Sequence, residues 1–396
     1  MMLRLGFHYH APMLRTSSGA LKTTGALGLF LDSLAARCAS LTCFMHSPRP
    51  DELAQIDYTL QAHNLNWVDI GPHTSTPHRM MFSRRFTQPI HDYRPVLDAL
   101  LIRGPSPLLP AVAHAARPLP TALLLVGDYL AGIDTLPQKR WRKEAIRAWA
   151  SWNDRQQLGV ASRSLTFVNS HRLYEQLVPD VPLLHETRTT TLSSTDFFHR
   201  EDTCLKPPYQ LLYTGRLDRA KGLLDMVEAV ALLVKQGNDV VLNLVGAPQK
   251  GDAVLDEIDR VARAHGIRDR VLYHGFKSVG ADLFAYYRKA DIYLIASQSD
   301  FEGFPRTIWE AFAHSLPVVA TTVGSIPYFL RHEEHALLIP PKSPPDIAAA
   351  VRRLISDSAL RRRLISGGSA LAQSNTLEVR SAELILKIEA YARREQ

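Results

Sequence analysis

Two short segments in the C-terminal half place charged residues where a predicted strand meets a predicted helix. In the first segment, YTGRLDRAKGLLDMVEAV, Arg216 ends a strand and Lys221 stands just before a helix. Ligands of open α/β sheets bind at the carboxyl ends of the strands, and helix N-termini attract anions. Two cations at this point suit a diphosphate group. The alternative is that both are solvated loop charges, as most Arg and Lys residues are.

The second segment, SDFEGFPRTIWEAFAHSLPVVAT, holds two glutamates eight positions apart. Glu302 lies in a loop after the predicted strand IYLIAS, and Glu310 lies about a turn and a half into a helix that begins at Pro305. This position allows Glu310 to face the same strand ends as Glu302, while the first amides of the helix are free to meet phosphate oxygens. The alternative is that Glu302 caps the helix and Glu310 makes a surface ion pair.

Short apolar strands alternate with amphipathic helices from residue 210 onward. The predicted strands are YQLLYTGRL, DVVLNLVG, VLYHGF, IYLIAS, PVVATT and ALLIPP. Near-continuous Val, Ile and Leu strands between helices predict a parallel sheet that is covered on both faces, as in a doubly wound domain. The first half shows the same alternation, with strands predicted at LRLGFHYH, SLTCFMHS, NWVDIG, DALLIRG, TALLLVGD, SLTFVNS and VPLLHE.

These elements predict an α/β protein with two Rossmann-like, doubly wound domains that face a cleft. The length of 396 residues agrees, because it exceeds what one hydrophobic core usually supports. We assign residues 1–203 to the N-terminal domain and residues 209–376 to the C-terminal domain, with the linker at the polar stretch around Pro207-Pro208. Residues 377–396 are predicted to form one amphipathic helix that crosses back to the N-terminal domain.

The composition is that of a globular protein of the cytoplasm. Hydrophobic residues make up 46% and charged residues 21%, and no apolar run reaches the length of a membrane span. Three cysteines without metal-ligand clustering, and an N-terminus without the features of a signal peptide, indicate a reducing compartment. Residues 1–200 contain 21 Lys and Arg against 15 Asp and Glu, whereas residues 201–396 contain 25 against 24. The basic N-terminal half therefore favours an anionic partner or membrane surface.

The spacing of the two charged segments resembles that of a known enzyme family. GRLDRAKG is followed by FEGFPRTIWEA, and then by LPVVATTVGSIP and ALLIPP. Together they resemble the retaining nucleotide-sugar glycosyltransferases of the two-Rossmann (GT-B) type, and more narrowly glycosyltransferase family 4 (glycosyl transferases group 1). The resemblance implies transfer of a sugar from a nucleotide diphosphate sugar to an acceptor hydroxyl, in bacterial polysaccharide, glycolipid or glycoconjugate synthesis.

The resemblance also implies a role for individual residues. The implied catalytic residues are Arg216 and Lys221, which neutralise the donor diphosphate, and Glu302, which contacts hydroxyls of the transferred sugar. Glu310 is expected to accept hydrogen bonds from the ribose diol. The further donor-binding residues are Gly215, Phe276, Lys277, Gly303, Phe304 and Pro305. On the acceptor side, where the family's glycine pair is replaced by TSSGALKTTGALG, the candidates are His8, Gly19 and Asp128.

No metal and no cofactor is expected. The sequence contains no Asp-x-Asp, so a metal-bridged diphosphate has no obvious ligands, and the cations and helix amides are expected to stabilise the leaving group. The expected partners are the nucleotide-sugar donor and a sugar or lipid-linked acceptor, with no nucleic acid. A two-Rossmann nucleotide-sugar 2-epimerase and a non-catalytic sugar-nucleotide-binding subunit are the alternative functions.

A basic stretch with tryptophans, LPQKRWRKEAIRAWASWNDRQ, allows two interpretations. At 100° per residue Trp141, Ala145, Trp149 and Trp152 share one face. Such a helix can lie on an anionic membrane, which fits peripheral contact with the inner face of the membrane. The favoured interpretation is a crossover helix between two parallel strands, with its Trp face packed against the sheet.

Overall fold

The computed structural model describes residues 2–126, 140–248, 252–299 and 303–395, with the backbone alone at residues 140 and 141. The chain forms two compact units. The first comprises Met1–Thr191 with Leu377–Gln396, and the second comprises Leu192–Thr376. The second unit thus begins ahead of the predicted linker. Its core includes Leu192, and Arg361 holds Asp202 through a hydrogen bond of 2.6 Å from Nε to Oδ1.

The first unit is built on a parallel sheet, as the apolar runs predict. Its strands are β1 (Arg4–Pro12), β2 (Leu14–Arg15), β3 (Leu21–Thr23), β4 (Ser40–Ser47), β5 (Tyr58–Thr59), β6 (Leu65–Pro72), β7 (Ala99–Gly104), β8 (Thr121–Leu125), β9 (Leu165–Val168) and β10 (Leu184–Glu186). The order β6-β4-β1-β7-β8-β9-β10 places the reversal of strand order between β1 and β7. The short strands β2, β3 and β5 form a separate antiparallel sheet that the sequence did not predict.

Helices connect the parallel strands of the first unit and cover both faces of its sheet. They are α1 (Gly25–Ala35), α2 (Thr76–Met81), α3 (Ser83–Tyr93), α4 (Leu109–Ala116), α5 (Arg140–Ala161) and α6 (His171–Leu177). Two groups of buried side chains, one centred on Leu5 and Leu31 and the other on Leu100 and Val112, form the core on the two faces.

The helix α5 connects β8 to β9, which confirms the predicted crossover, but the predicted buried face is wrong. The side chain of Trp152 is 53% exposed, and Ala145 is also exposed. The buried positions are Ala150, Asn153, Gln157 and Ala161, which recur at helical spacing on another face. Trp149 is half-buried and its Nε1 donates to Met80 Sδ at 3.0 Å, so one tryptophan contributes while the helix docks mainly along smaller and polar side chains. The side chain of Trp141 lies outside the described residues.

The second unit carries a parallel sheet whose strands all match predicted ones. They are β11 (Tyr209–Thr214), β12 (Val240–Val245), β13 (Val271–Tyr273), β14 (Ile292–Ile295), β15 (Val318–Thr321) and β16 (Leu337–Ile339). The order β13-β12-β11-β14-β15-β16 is the doubly wound order, with its reversal between β11 and β14. The helices are α7 (Leu223–Lys235), α8 (Val254–Ala264), α9 (Ala281–Lys289), α10 (Arg306–Ala313), α11 (Ile326–Phe329), α12 (Pro344–Ser356) and α13 (Ser358–Gln373).

The last helix, α14 (Leu377–Glu395), returns to the first unit, as the sequence analysis predicts. Its apolar face, including Leu384 and Ile388, packs into the core beside α1. The hydroxyl oxygens of Ser33 and Ser381 lie 2.7 Å apart across this contact. Among the described residues, no helix is both long enough and apolar enough to cross a membrane.

Candidate functional site

The loops after β11, β12 and β14 approach one another at the carboxyl edge of the second sheet, next to the switch point between β11 and β14. Two glycines with positive φ make this approach possible. A Cβ on Gly246, which has φ +150°, would lie 1.8 Å from the carbonyl oxygen of Gly215. A Cβ on Gly222, which has φ +66°, would lie 2.0 Å from the carbonyl oxygen of Ala296. Any side chain at either position would push the loops apart, so these glycines position the segment between them.

The guanidinium of Arg216 points out of this turn. The Arg216 side chain is 66% exposed, and its Nη2 lies 3.8 Å from Asp218 Oδ2. An ion pair this long and this exposed contributes little to stability. The backbone is held more firmly, because the Tyr213 hydroxyl donates to the Arg216 carbonyl oxygen at 2.7 Å. The turn thus fixes the base of the side chain and leaves its charged end accessible to an anion.

Lys221 stands five residues further on, at the end of the short 3₁₀ turn Arg219–Lys221. The left-handed residue Gly222 follows, and α7 begins immediately after it. The first amides of α7 have no carbonyl partner within the helix and carry its positive dipole end. The structure thus brings together Gly215, Arg216, Lys221 and a helix N-terminus at the carboxyl edge of β11, which is where the sequence analysis placed the diphosphate.

The neighbouring residue Arg219 has a different role from Lys221. Its guanidinium donates to Glu257 and to Asp252, with Nη1 3.2 Å from Asp252 Oδ1. These contacts turn it toward α8. Arg219 is therefore engaged in an internal ion pair with acidic residues at α8.

The segment His274–Lys277, which follows β13, also lies at the carboxyl edge of the second sheet. The Gly246 amide donates to the Gly275 carbonyl oxygen at 2.9 Å, which ties this loop to the one after β12. Phe276 is 66% exposed, and the Lys277 Nζ lies 6.0 Å from the centre of the Tyr286 ring. An exposed aromatic ring and a cation next to the glycine turn suit a planar base, as the sequence analysis expects.

Glu310 is buried, contrary to the alternative of a surface ion pair. It is only 4% exposed, and the Tyr287 hydroxyl donates to its Oε2 at 2.7 Å. The Thr214 hydroxyl oxygen lies 2.5 Å from the Tyr287 hydroxyl and 3.2 Å from that of Tyr293. Since Tyr287 gives its proton to Glu310, it accepts from Thr214. Thr214 is the last residue of β11, so this chain of hydrogen bonds holds the Glu310 carboxylate at the strand end.

The electrostatics of the buried tyrosines follow from the same arrangement. Burial, and then the Glu310 charge, raise the pKa of Tyr287 well above its usual range. Burial likewise raises the pKa of Tyr293 to about 12. Both tyrosines therefore remain neutral and keep donating their protons. Sequence reasoning missed this support, although two tyrosines inside apolar segments, in LFAYYRKADIYL, are a signal for buried hydroxyls that need partners.

The residues before α10 are partly outside the described chain. Glu302 is not among the described residues. A Cβ added to Gly303 would meet none of the described residues within 4 Å. Pro305 is the N-cap, so the helix begins at Arg306, one residue later than predicted. Phe304 is 8% exposed, and its ring stacks on Trp309 with centroids 4.3 Å apart. The Phe304 side chain therefore belongs to the core, and the backbone of this residue is the part available to a ligand.

The predicted acceptor-side residues lie in different surroundings. His8 is fully buried at the end of β1, and its Nδ1 lies 3.0 Å from the Phe44 carbonyl oxygen. Burial is the main reason that its pKa is lowered to about 3. Gly19 is exposed in the turn between β2 and β3, with φ +86°. Asp128 lies outside the described residues. Across the described part of the chain, no group of three or more His, Cys, Asp or Glu side chains is arranged to hold a metal ion.

The second unit matches a known protein family. The family is Glycosyl transferases group 1, and the match covers residues 195–370. Residues 195–370 form a glycosyl transferases group 1 domain. The switch-point residues described above, from Gly215 to Glu310, all lie inside it.

Relatives of this glycosyltransferase domain occur in proteins of several functions. An uncharacterized glycosyltransferase of Methanocaldococcus jannaschii is 30% identical over 156 residues, which is 39% of this chain and 38% of that protein. The alpha-D-kanosaminyltransferase of Streptomyces kanamyceticus is 26% identical over 56% of this chain and 58% of its own length. A lipopolysaccharide core biosynthesis glycosyltransferase of Rhizobium meliloti is 28% identical over 43% of this chain and 44% of its own. This chain therefore spans about two fifths to three fifths of the length of these relatives.

Solved structures extend the likeness to the whole fold. The Anabaena protein HepE, in complex with UDP, superposes with a TM-score of 0.71 at 16% identity, covering 98% of this chain and 100% of that one. Sucrose-phosphate synthase from Thermosynechococcus elongatus gives a TM-score of 0.69 at 19% identity, covering 98% of each chain. The two parallel-sheet units, one of them containing the glycosyltransferase domain, thus have the GT-B glycosyltransferase fold.

Proposed function

We propose that the protein is a retaining glycosyltransferase of family 4. It moves a sugar from a nucleotide diphosphate sugar to an acceptor hydroxyl in the synthesis of bacterial polysaccharide, glycolipid or glycoconjugate. One observation carries the proposal. The cations Arg216 and Lys221 and the buried carboxylate of Glu310 lie at the same strand ends, at the switch point of a doubly wound sheet.

Each part of a nucleotide diphosphate sugar has a counterpart in this arrangement. The Glu310 carboxylate, held by Tyr287, accepts hydrogen bonds from the ribose hydroxyls. Arg216, Lys221 and the first amides of α7 meet the diphosphate, and Phe276 and Lys277 lie against the base. Glu302 contacts hydroxyls of the transferred sugar. The HepE structures bound to UDP and to UDP-glucose support uridine diphosphate sugars as the first donors to test.

The proposed mechanism rests on stabilisation of the leaving group. As the glycosidic bond breaks, negative charge grows on the diphosphate, and preorganised cations and helix amides stabilise that charge. The departing phosphate oxygen takes the proton of the acceptor hydroxyl, which attacks from the same face of the sugar and so retains its configuration. The experiment is to measure UDP release from UDP-sugars with and without candidate acceptors; release that depends on the acceptor is expected, whereas acceptor-independent conversion of the sugar would contradict transfer.

We propose that transfer needs no metal ion. The leaving diphosphate meets two cations and a helix N-terminus, so a bridging metal adds little there. Activity is expected to persist at unchanged kcat after dialysis against EDTA. Complete loss of activity that Mg²⁺ or Mn²⁺ restores would contradict this proposal, and a metal-dependent transferase treated in parallel controls for incomplete chelation.

We also propose peripheral contact with anionic membrane through the basic first half. The exposed side chain of Trp152 on α5 supports it, because the exposed basic residue Arg155 lies three positions further along this helix. The protein is expected to sediment with anionic vesicles and to be released as salt rises, since screening weakens such contacts. Trp152→Ser should reduce sedimentation. Equal sedimentation with neutral and anionic vesicles, or no sedimentation with either kind, would contradict membrane contact through the excess of basic residues in the first half.

A further inference from the structure

A group of histidines and arginines lies at the switch point of the first sheet. His8 is the last residue of β1 that pairs regularly with β4 and β7, and His10 follows it two positions later. His46 and Arg103 are the last but one residues of β4 and β7. His73 follows β6, with its ring centre 5.4 Å from that of His46, and Arg79 comes from α2. We call these six residues the histidine–arginine cluster. Ligands of doubly wound sheets bind at this position, outside the carboxyl ends of the strands where the strand order reverses.

The backbone of β1 is irregular at this point. The register between β1 and β4 shifts between His8 and Pro12. Irregularities of this kind redirect side chains and are common next to functional sites. His8 and His10 are two positions apart, so both belong to the same face of β1.

Hydrogen bonds fix the protonation pattern of three of the histidines. The Nδ1 of each ring faces an acceptor. The Nδ1 of His8 lies 3.0 Å from the Phe44 carbonyl oxygen, and the Nδ1 of His46 lies 3.0 Å from the Gly71 carbonyl oxygen. The Nδ1 of His73 lies 2.5 Å from Glu52 Oε1. Since these oxygens accept, each Nδ1 carries a proton, and the Nε2 of the neutral ring then bears a lone pair.

The opposite ring atoms are buried and have no hydrogen-bond partner among the described residues. These atoms are Nε2 of His8, His46 and His73, and Nδ1 of His10. His8 and His46 are both 0% exposed. Buried polar atoms without partners are costly and uncommon, so several in one place indicate a ligand that supplies the missing contacts.

The charges around these atoms are mostly positive. Arg79 is 5% exposed, and its charge acts on all four histidines. The Arg103 Cζ lies 4.7 Å from the centre of the Tyr9 ring, and its charge acts on His10. Among the described residues, the carboxylate in contact with the cluster is Glu52, which already accepts from His73 and Arg49. Together with the four histidines, these are the titratable and charged groups that act on the cluster within the described residues.

We propose that the histidine–arginine cluster binds an oxyanion, a phosphate or carboxylate group carried by the sugar acceptor, and takes up protons when it does so. The anion would lie beside the positive charges of the arginines and accept from the newly protonated Nε2 atoms. A metal ion is disfavoured, because two arginines place positive charge beside the lone pairs. The oxyanion site follows from the geometry alone, whereas its assignment to the acceptor rests on the proposed function.

The coupling to protons has a defined sign. Burial, together with the positive charge of Arg79, lowers the pKa of His8, His10 and His46 to about 3, so these rings are neutral at neutral pH. A bound anion removes the repulsion and stabilises the imidazolium form, which raises these pKa values. Affinity for the anion therefore rises as pH falls through the range between the free and the bound pKa.

The test is isothermal titration of the full-length chain with inorganic sulfate, whose charge is constant in this pH range. Measured from about pH 8 down to about pH 5, the affinity should rise by about tenfold per pH unit for each proton taken up, once the pH lies below the pKa of the anion-bound rings. The heat measured in buffers of different ionisation enthalpy should report the same proton uptake. Binding without proton uptake, or no binding, would overturn the proposal.

Matched variants separate this site from the others. His10→Gln should lose most of the proton-coupled sulfate binding, whereas His63→Gln, an exposed histidine of the same unit, should keep it. The Lys221→Ala chain should also keep it, because sulfate at the donor site involves no histidine of the cluster. Equal proton-coupled binding in His10→Gln and in the unaltered chain would contradict the assignment even if the unaltered chain binds sulfate.

Competition identifies the group that carries the charge. Glucose 6-phosphate and glucuronate should displace sulfate better than glucose does. If glucose 6-phosphate is the better competitor, the bound group of the acceptor is a phosphate; if glucuronate is better, it is a carboxylate. Displacement by glucose equal to that by both acids would contradict an oxyanion site. A chain that binds sulfate with proton uptake but transfers no sugar would contradict the proposed function and leave the oxyanion site standing.

Discussion

Replacing Lys221 or Arg216 by alanine is expected to lower kcat for sugar transfer by roughly thirty-fold to several-thousand-fold, with a smaller change in KM. Removing one partner of a desolvated charge pair costs roughly 2–5 kcal/mol. The contact strengthens as charge grows on the leaving diphosphate, so the loss falls mainly on the transition state. The measurement is kcat and KM with the best UDP-sugar, with circular dichroism to verify folding.

The chain offers a matched control for this prediction in the same turn. Arg219→Ala removes the same charge, but Arg219 is engaged by Glu257 and Asp252. The kcat of Arg219→Ala should stay within a factor of about five of the kcat of the unaltered chain, because loss of an exposed ion pair has a small effect. Lys221→Arg should rescue only in part, because a planar guanidinium does not replace a compact ammonium group. If both alanine variants at the predicted site behave like Arg219→Ala, the leaving-group site is misplaced.

Glu310→Ala is expected to weaken the binding of UDP and of the UDP-sugar alike, by about tenfold to one-hundred-fold. The ribose contact exists in both ligands, and hydrogen bonds to a charged group contribute about 1.5–3 kcal/mol each. Glu302→Ala should hardly change UDP binding but should reduce turnover, because its expected contact is with the transferred sugar. Calorimetry of both variants with UDP, together with turnover, gives the comparison, and the reverse ranking would mean that the two roles are exchanged.

Two controls separate the ribose contact from damage to the core. Tyr287→Phe removes the hydroxyl that donates to Glu310 and keeps the ring that stacks on Tyr293 at 5.7 Å. It should weaken UDP less than Glu310→Ala does, because the carboxylate that accepts from the ribose hydroxyls is still present. A UDP analogue without ribose hydroxyls should bind the Glu310→Ala and unaltered chains equally well. A loss for that analogue as large as for UDP would indicate general disruption.

The parallel sheets could be predicted from the sequence because their strands are buried on both faces. Runs such as TALLLVGD and IYLIAS are apolar at every central position, and each became a strand of the expected sheet. The small sheet of β2, β3 and β5 escaped prediction, since its strands have two or three residues and lie partly exposed. Strands this short carry no periodic pattern.

The proposed donor site could be predicted only in part from the sequence. Arg216, Lys221 and Glu310 stand at strand ends and helix starts, and such positions can be read from local patterns. Tyr287 and Tyr293 could not be linked to Glu310 in this way, because their hydroxyls meet it through packing across three elements. The face of α5 was predicted wrongly for a related reason: its polar residues Asn153 and Gln157 are buried, whereas Trp152 is exposed.

The histidine–arginine cluster shows most clearly what local sequence patterns do not predict. Its members come from five segments between His8 and Arg103, and only the order of the parallel strands brings them together. Of these residues, the sequence placed His8 and His10 at the end of the first strand. The other members gave no local signal, because a single histidine or arginine after a strand is common in any α/β protein.

The most direct test of the central claim is the fate of the sugar in a reaction with a UDP-sugar and an acceptor. Nuclear magnetic resonance of the product reports its anomeric configuration while UDP release is measured in parallel. The account predicts one glycoside per UDP released, with the configuration of the donor, and no product when acceptor is omitted. A product of inverted configuration, or an epimerised sugar formed without acceptor, would contradict it.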